Sequence, residues 1–254
     1  MCTVVLLRQP GHAWPVIIGA NRDEMLDRSW QPPARHWPDR PEAVAGLDMT
    51  AGGTWMGLND HGVVACILNR YGSLGPAPGK RSRGELVLEA LDHADAAEAL
   101  GDIDPTAYRS FNLVIADNRD AWWLSSTDGA KRVRVEQVPA GLSMFTASDR
   151  NDIGDPRIAN YLPRFETAAR PDPGADQWDA WQKLLGSNDA TESRAMSFRL
   201  ESGFGTSSSS LMALPSAQAA HDGTFPVWLF AAGPPESTRF QPVDIFGAVS
   251  AARH

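Results

Sequence analysis

Apolar residues fall along this chain in short runs separated by polar and glycine-rich breaks, not in long periodic blocks. Residues 3–7 and 16–19, with Gly11-His12 between them, read as two strands joined by a turn; the second ends at Asn21-Arg22-Asp23-Glu24. A proline-rich stretch over 31–41 reads as loop. Residues 54–58 and 63–68 flank Asn59-Asp60-His61-Gly62, a hairpin signal. Further strands are predicted at 111–116, 121–125, 132–138, 142–147, 211–214 and 227–231. Helical spacing occurs three times. Ser82 can cap a helix with Glu85 three residues on, and Leu86, Val87, Ala90, Leu91 and Ala94 then share one apolar face. Ile158, Tyr161, Leu162 and Phe165 mark a second helix, and Trp178, Trp181, Leu184 and Leu185 a third. Many strands with a few helices predict a layered α+β domain. There is no internal repeat, and the serine run 207–210 is too short to be a linker, so residues 1–254 read as one domain.

The bulk properties narrow the partners. Hydrophobic residues make up 43% of the 254, charged residues 21%, and the formal net charge is −8. No block of Lys or Arg occurs, which argues against nucleic acid and anionic membrane surfaces, since both require clustered positive charge. The two cysteines, Cys2 and Cys66, are too few for a disulfide framework. The apolar run at residues 4–7 is too short for a signal peptide core or a membrane span. Together these predict a soluble, cytoplasmic protein with no stable membrane insertion; its oligomeric state is left open.

Cys2 carries the candidate chemistry. If the initiator Met is removed, Cys2 owns a free α-amine whose ordinary pKa lies near about 7.7–8.0, next to a thiol near about 8.5. One residue then offers both a nucleophile and a general base. Equally, a small residue after Met simply opens a strand. In an antiparallel hairpin the end of the second strand lies near residue 2, so Asp23 could hold an N-terminal ammonium and Arg22 could lower a thiol pKa or orient a carboxylate. The same four residues would also suit a solvated charged turn. Asn69, closing an apolar strand, can aim an amide N–H at an oxyanion or serve as a turn residue. The six histidines, at 12, 36, 61, 93, 221 and 254, lack paired metal-ligand spacing. Cys66, inside an apolar run, reads as a buried inert thiol. Trp122, Trp123, Trp178 and Trp181 read as core or pocket wall.

The opening Met1-Cys2-Thr3, the tetrad Asn21-Arg22-Asp23-Glu24, Ala45-Gly46-Leu47-Asp48, the run Ala51-Gly52-Gly53-Thr54-Trp55-Met56-Gly57 and Leu68-Asn69-Arg70 together resemble the NRDE-motif family, which includes the transport and Golgi organisation proteins. Ser82-Arg83-Gly84-Glu85-Leu86-Val87 and Phe204-Gly205-Thr206 are similar to its pattern as well. More distantly the layout is similar to choloylglycine hydrolases and penicillin V acylases. That likeness implies an N-terminal-nucleophile hydrolase fold, a four-layer αββα sandwich. It implies Cys2 as nucleophile, Asp23 as the carboxylate contacting its amine and Asn69 in the oxyanion hole; Arg22, from its own place in the chain, is expected to orient substrate or thiolate. Asn21, Trp55 and Asp149 are the expected substrate contacts. The sequence departs from the acylases in three places. Asp149, with Asn151 nearby, stands where a second Asn is usual; Ser207 stands for an Arg after the Gly-Thr pair; and Ala20 stands for the Arg before the second-strand Asn. The implied activity is amide hydrolysis or acyl transfer on a small amide or acyl compound, with no cofactor required and no metal. A different implication of the family is a non-catalytic carrier of haem or of a lipid or acyl-CoA.

Overall fold

The computed structural model describes residues 2–101, 103–191 and 194–246; Met1 and His254 lie outside the described residues. Thirteen strands are assigned among them. They are β1 (Thr3–Arg8), β2 (Val16–Met25), β3 (Trp30–Ala34), β4 (Ala43–Asp48), β5 (Met56–Asn59), β6 (Val64–Asn69) and β7 (Phe111–Ala116), followed by β8 (Ala121–Ser126), β9 (Arg134–Gln137), β10 (Gly141–Phe145), β11 (Phe204–Leu214), β12 (Val227–Ala231) and β13 (Gln241–Pro242). The helices that pack on them are α1 (Gly84–Leu91), α2 (Pro156–Thr167) and α3 (Asp179–Leu185).

Period-two alternation divides these strands between two cores. In β1 and β2, Val4, Leu6, Val16, Ile18 and Ala20 face one way and Val5, Leu7 and Ile17 the other. The first set meets Met56, Leu58, Cys66 and Val114 of a second sheet across a shared core. The second set packs under α2 and α3, against Ile158, Tyr161, Phe165, Trp178 and Trp181. On the far side, Ala45, Ala65, Leu113 and Ile115 receive Leu86, Val87, Ala90 and Leu91 of α1. The sheet orders are β10-β1-β2-β11-β12-β13 and β3-β4-β5-β6-β7-β8-β9, with every pairing antiparallel. This is the αββα sandwich that the resemblance implied. No helix among the described residues is long and apolar enough to cross a membrane.

Several local expectations are corrected. The polar tetrad does not end a strand: β2 runs through Asn21, Arg22, Asp23 and Glu24, because β1 and β11 pair with it on both sides. The proline-rich segment contributes β3, an edge strand whose register slips between Gln31 and Ala34 where the prolines cannot donate. Ser82 does not cap α1. Arg83 holds the N-cap position without a side-chain bond, and Glu85 is drawn to Arg81. The serine run lies inside β11, fully buried. Three of its hydroxyls bond to protein: Ser207 Oγ donates to the Arg22 carbonyl, Ser209 Oγ donates to the Ala20 carbonyl, and Ser210 Oγ accepts from Trp228 Nε1. Ser208 Oγ is buried without a partner among the described residues.

Candidate active site

Alternation along β2 sends its polar side chains in opposite directions. Asn21 and Asp23 point under the sheet toward α2 and α3. Arg22 follows Ala20 toward the space between the sheets.

Below the sheet, Asn21 Nδ2 donates to the carbonyls of Leu185 and Met196 at 2.9 and 2.8 Å. Asp23 is fully buried. Its Oδ2 accepts from Arg157 Nη1 at 2.8 Å and its Oδ1 from Thr206 Oγ1 at 2.8 Å. The same Arg157 nitrogen donates to Thr3 Oγ1 at 2.8 Å. Arg157 stands at the start of α2, where Asp155 caps the helix by accepting from the amides of Arg157 and Ile158 and Pro156 opens the first turn. A buried ion pair thus pins the helix to the strand, and the sequence reading did not anticipate Arg157.

Above the sheet, Cys2 immediately precedes β1, partly buried against the inter-sheet core. Its thiol contacts the Asp23 carbonyl at 3.6 Å. The Arg22 guanidinium lies 4.4 Å over the Trp55 ring, and its Nη1 donates to Ser207 Oγ at 3.1 Å. A bulge in the β2–β11 pairing between Thr206 and Ser208 makes both contacts possible: Thr206 stays on Asp23's face while Ser207 reaches Arg22. Trp55 needs Gly46 beneath it, since a Cβ there would sit 2.3 Å from the indole.

Cys2, Arg22, Asp23, Trp55 and Asn69 all line one open cleft of about 640 Å³. Its other walls come from the 75–77 loop, the segment entering α1, and the β4–β5 connection. Thr54 N donates to the Gly84 carbonyl there, and a Cβ on Gly84 would come within 2.8 Å of Thr54 backbone. Two motifs of the resemblance are therefore in van der Waals contact. Asn69 shares a face of β6 with Ala65 and Ile67, on the α1 side, and reaches the cleft from there; among the described residues its side-chain amide has no hydrogen-bond partner. Arg83 also lines the cleft. Its Nη1 donates to the carbonyls of Ser73 and Ser110 and to Ser73 Oγ. Asn21 and Asp149 do not line this cleft. Asp149 sits outside it, between Arg70 at 2.6 Å and Arg134 at 3.1 Å.

The electrostatics correct another expectation. Burial, reinforced by the Asp23 charge, pushes the Cys2 thiol above its ordinary value, and Arg22 opposes this without overcoming it. Cys66, which faces the same inter-sheet space, is pushed by burial to about 12. Burial lowers Arg22, and burial with the nearby Arg109 charge lowers Arg83 to about 10, so both remain cationic at neutral pH. No group of three or more His, Cys, Asp or Glu side chains among the described residues is placed to hold a metal ion.

A family model described as Transport and Golgi organisation 2 matches residues 1–185. Among solved structures, the chain is similar to the Caenorhabditis elegans N-acylethanolamine-hydrolyzing acid amidase ortholog over 95% of its own length and 100% of that chain, with a TM-score of 0.58 at 12% identity. It is similar to penicillin V acylase from Agrobacterium tumefaciens over 91% of its length and 83% of that chain, with a TM-score of 0.56 at 13% identity. At these identities the likeness is one of fold, that of the N-terminal-nucleophile hydrolases. No curated protein matches the sequence.

Proposed function

The chain belongs to the Transport and Golgi organisation 2 family, and on that premise we propose that it is a cysteine amidohydrolase or acyltransferase acting on a small amide or acyl compound. The observation that carries this reading is the placement of Cys2 in the lining of a cleft it shares with Arg22, Trp55 and Asn69. The thiol is held protonated, so the reading requires a base that takes the proton as attack proceeds. With Met1 removed, the α-amine of Cys2 is that base. Sγ attacks the acyl carbon, the amine receives the thiol proton and returns it to the departing amine, and water or another acceptor then resolves the thioester. Asp23, locked by Arg157 and Thr206, is a positioning residue for the strand end that carries the amine. Asn69, its amide unspent, is the oxyanion donor.

The carrier reading fits less well. A haem requires an apolar slot and an axial ligand. Among the described residues the lining of this cleft contains no histidine or methionine, its one sulfur is the protonated Cys2, and charged residues make up nearly half of it.

The test is turnover of a panel of acyl p-nitroanilides by protein whose intact mass shows Cys2 at the N-terminus. Cys2→Ala should abolish turnover. Asn69→Ala should lower kcat by about a hundredfold or more with KM nearly unchanged, because an oxyanion donor acts in the transition state. Retention of Met1 in the native protein, or acyl-compound binding untouched by Cys2→Ala with no turnover, would overturn the proposal.

A further inference from the structure

The charges around the cleft do not cancel. Each of its carboxylates has a cationic partner, Arg28 serving two of them. Asp23 is bound by Arg157, Asp48 by Arg28 at 2.8 Å, Glu24 by the same Arg28 at 3.9 Å, and Glu85 by Arg81. Among the described residues four cations of the lining remain, and each meets only neutral acceptors there. Arg22 bonds Ser207, Arg83 bonds Ser73 and Ser110, Lys80 bonds the Thr106 carbonyl, and Arg109 bonds the carbonyls of Gly72, Leu74 and Gly75. Lys80 and Arg109 are on the outer rim. Arg22 and Arg83 are set deeper, Arg22 with only 5% of its surface exposed. A desolvated guanidinium without an anionic partner is costly, and a fixed fork of N–H donors matches carboxylate and phosphate oxygens. That a protein of net charge −8 concentrates uncompensated cations beside its candidate nucleophile is opposite to what its composition alone would produce.

We infer that Arg22 and Arg83 clamp an anionic group of the substrate, a carboxylate or a phosphate, while Lys80 and Arg109 draw it into the cleft from the rim. The inference rests on the reading of this cleft as the substrate site and adds the substrate's charge. Trp55 holds the Arg22 fork in plane, and the neutral carbonyls anchor Arg83 without using its other nitrogens.

Calorimetric titration of the Cys2→Ala protein at low ionic strength tests the clamp without turnover, with inorganic pyrophosphate and succinate as separate probes. Saturable binding of at least one is expected; pyrophosphate alone identifies a phosphate group, succinate alone a carboxylate. Arg83→Gln and Arg22→Gln should each weaken binding about tenfold or more, the loss of charge-assisted hydrogen bonds, and Arg83→Lys should recover part of it. If either variant fails to fold, the wild-type protein supplies the second readout: a bound anion should slow iodoacetamide labelling of Cys2 and leave Cys66 unaffected. Absence of binding by both probes, or binding unchanged in both glutamine variants, overturns the inference. Cys2-dependent turnover of neutral anilides with no anion effect would sink this inference and spare the catalytic reading. Anion binding without turnover would do the reverse.

Discussion

At the level of single residues, the two thiols face the same inter-sheet space in different surroundings. Cys2 is partly exposed to the cleft and feels Arg22, whereas Cys66 lies sealed in β6. Because burial and Asp23 raise the Cys2 pKa, its thiolate fraction at neutral pH is small and grows with every step upward in pH. Iodoacetamide labelling of Cys2 should therefore accelerate steadily through the alkaline range, with no plateau below the ordinary thiol range, and should outpace Cys66 throughout. A plateau near neutral pH would mean that Arg22 governs the thiol after all; faster labelling of Cys66 would remove Cys2 as the accessible nucleophile. Cys2, Arg22, Asp23 and Asn69 were legible in the sequence because each is tied to the end or beginning of an apolar run. Arg157 was not. It is 134 positions from Asp23 in sequence, and only the Asp155-Pro156 helix-start signal beside it was readable. Arg83 is visible within the motif over 82–87, but nothing local in the sequence marks it as a cleft residue.

At the level of elements, the strands that sequence located well are those whose two faces are both apolar. Strands β7 and β12 run between the predicted ends, since continuous burial and polar turns mark their limits. Those it truncated, β2 and β11, carry buried polar residues at one end, which alternation rules read as exposed. Asn21, Asp23, Thr206 and Ser209 are buried because partners from distant segments satisfy them, and a local pattern holds no record of those partners. Strands β3 and β4 were hidden by prolines and by the glycine that accommodates Trp55. The helix layer depends on the same non-local chemistry. With Asp23 and Arg157 at 0% and 2% side-chain exposure, removing one breaks a buried ion pair. Arg157→Met should thus destabilise the protein by about 3–5 kcal/mol in urea unfolding, and adding Asp23→Leu should recover most of that loss. A single-variant cost below about 1 kcal/mol would mean the pair is solvated in solution and does not anchor α2.

At the level of the whole molecule, the cleft belongs to no single layer. Cys2 and Arg22 come from the entry to β1 and from β2 of the first sheet, Trp55 and Asn69 from the entry to β5 and the end of β6 of the second, and Arg83 from the start of a helix outside it. Such a site exists only while both sheets and α1 remain docked. The anchoring of α2 and α3 argues that the layers come apart together: Trp178 and Trp181 are buried between these helices and the first sheet, and Arg157 ties α2 to β2. Trp123, by contrast, lies between the sheets beside the Cys66 cluster. Tryptophan fluorescence therefore reports both the helix layer and the inter-sheet core, while Cys66 labelling reports the inter-sheet core alone. If unfolding is cooperative, the two signals should share one urea midpoint, with Cys66 unreactive below it. A fluorescence change that precedes Cys66 labelling would show the helix layer leaving first. The Asp23–Arg157 pair would then fail to couple it to the sheets, and the strand end beside Cys2 would lose its support while the sandwich still stood.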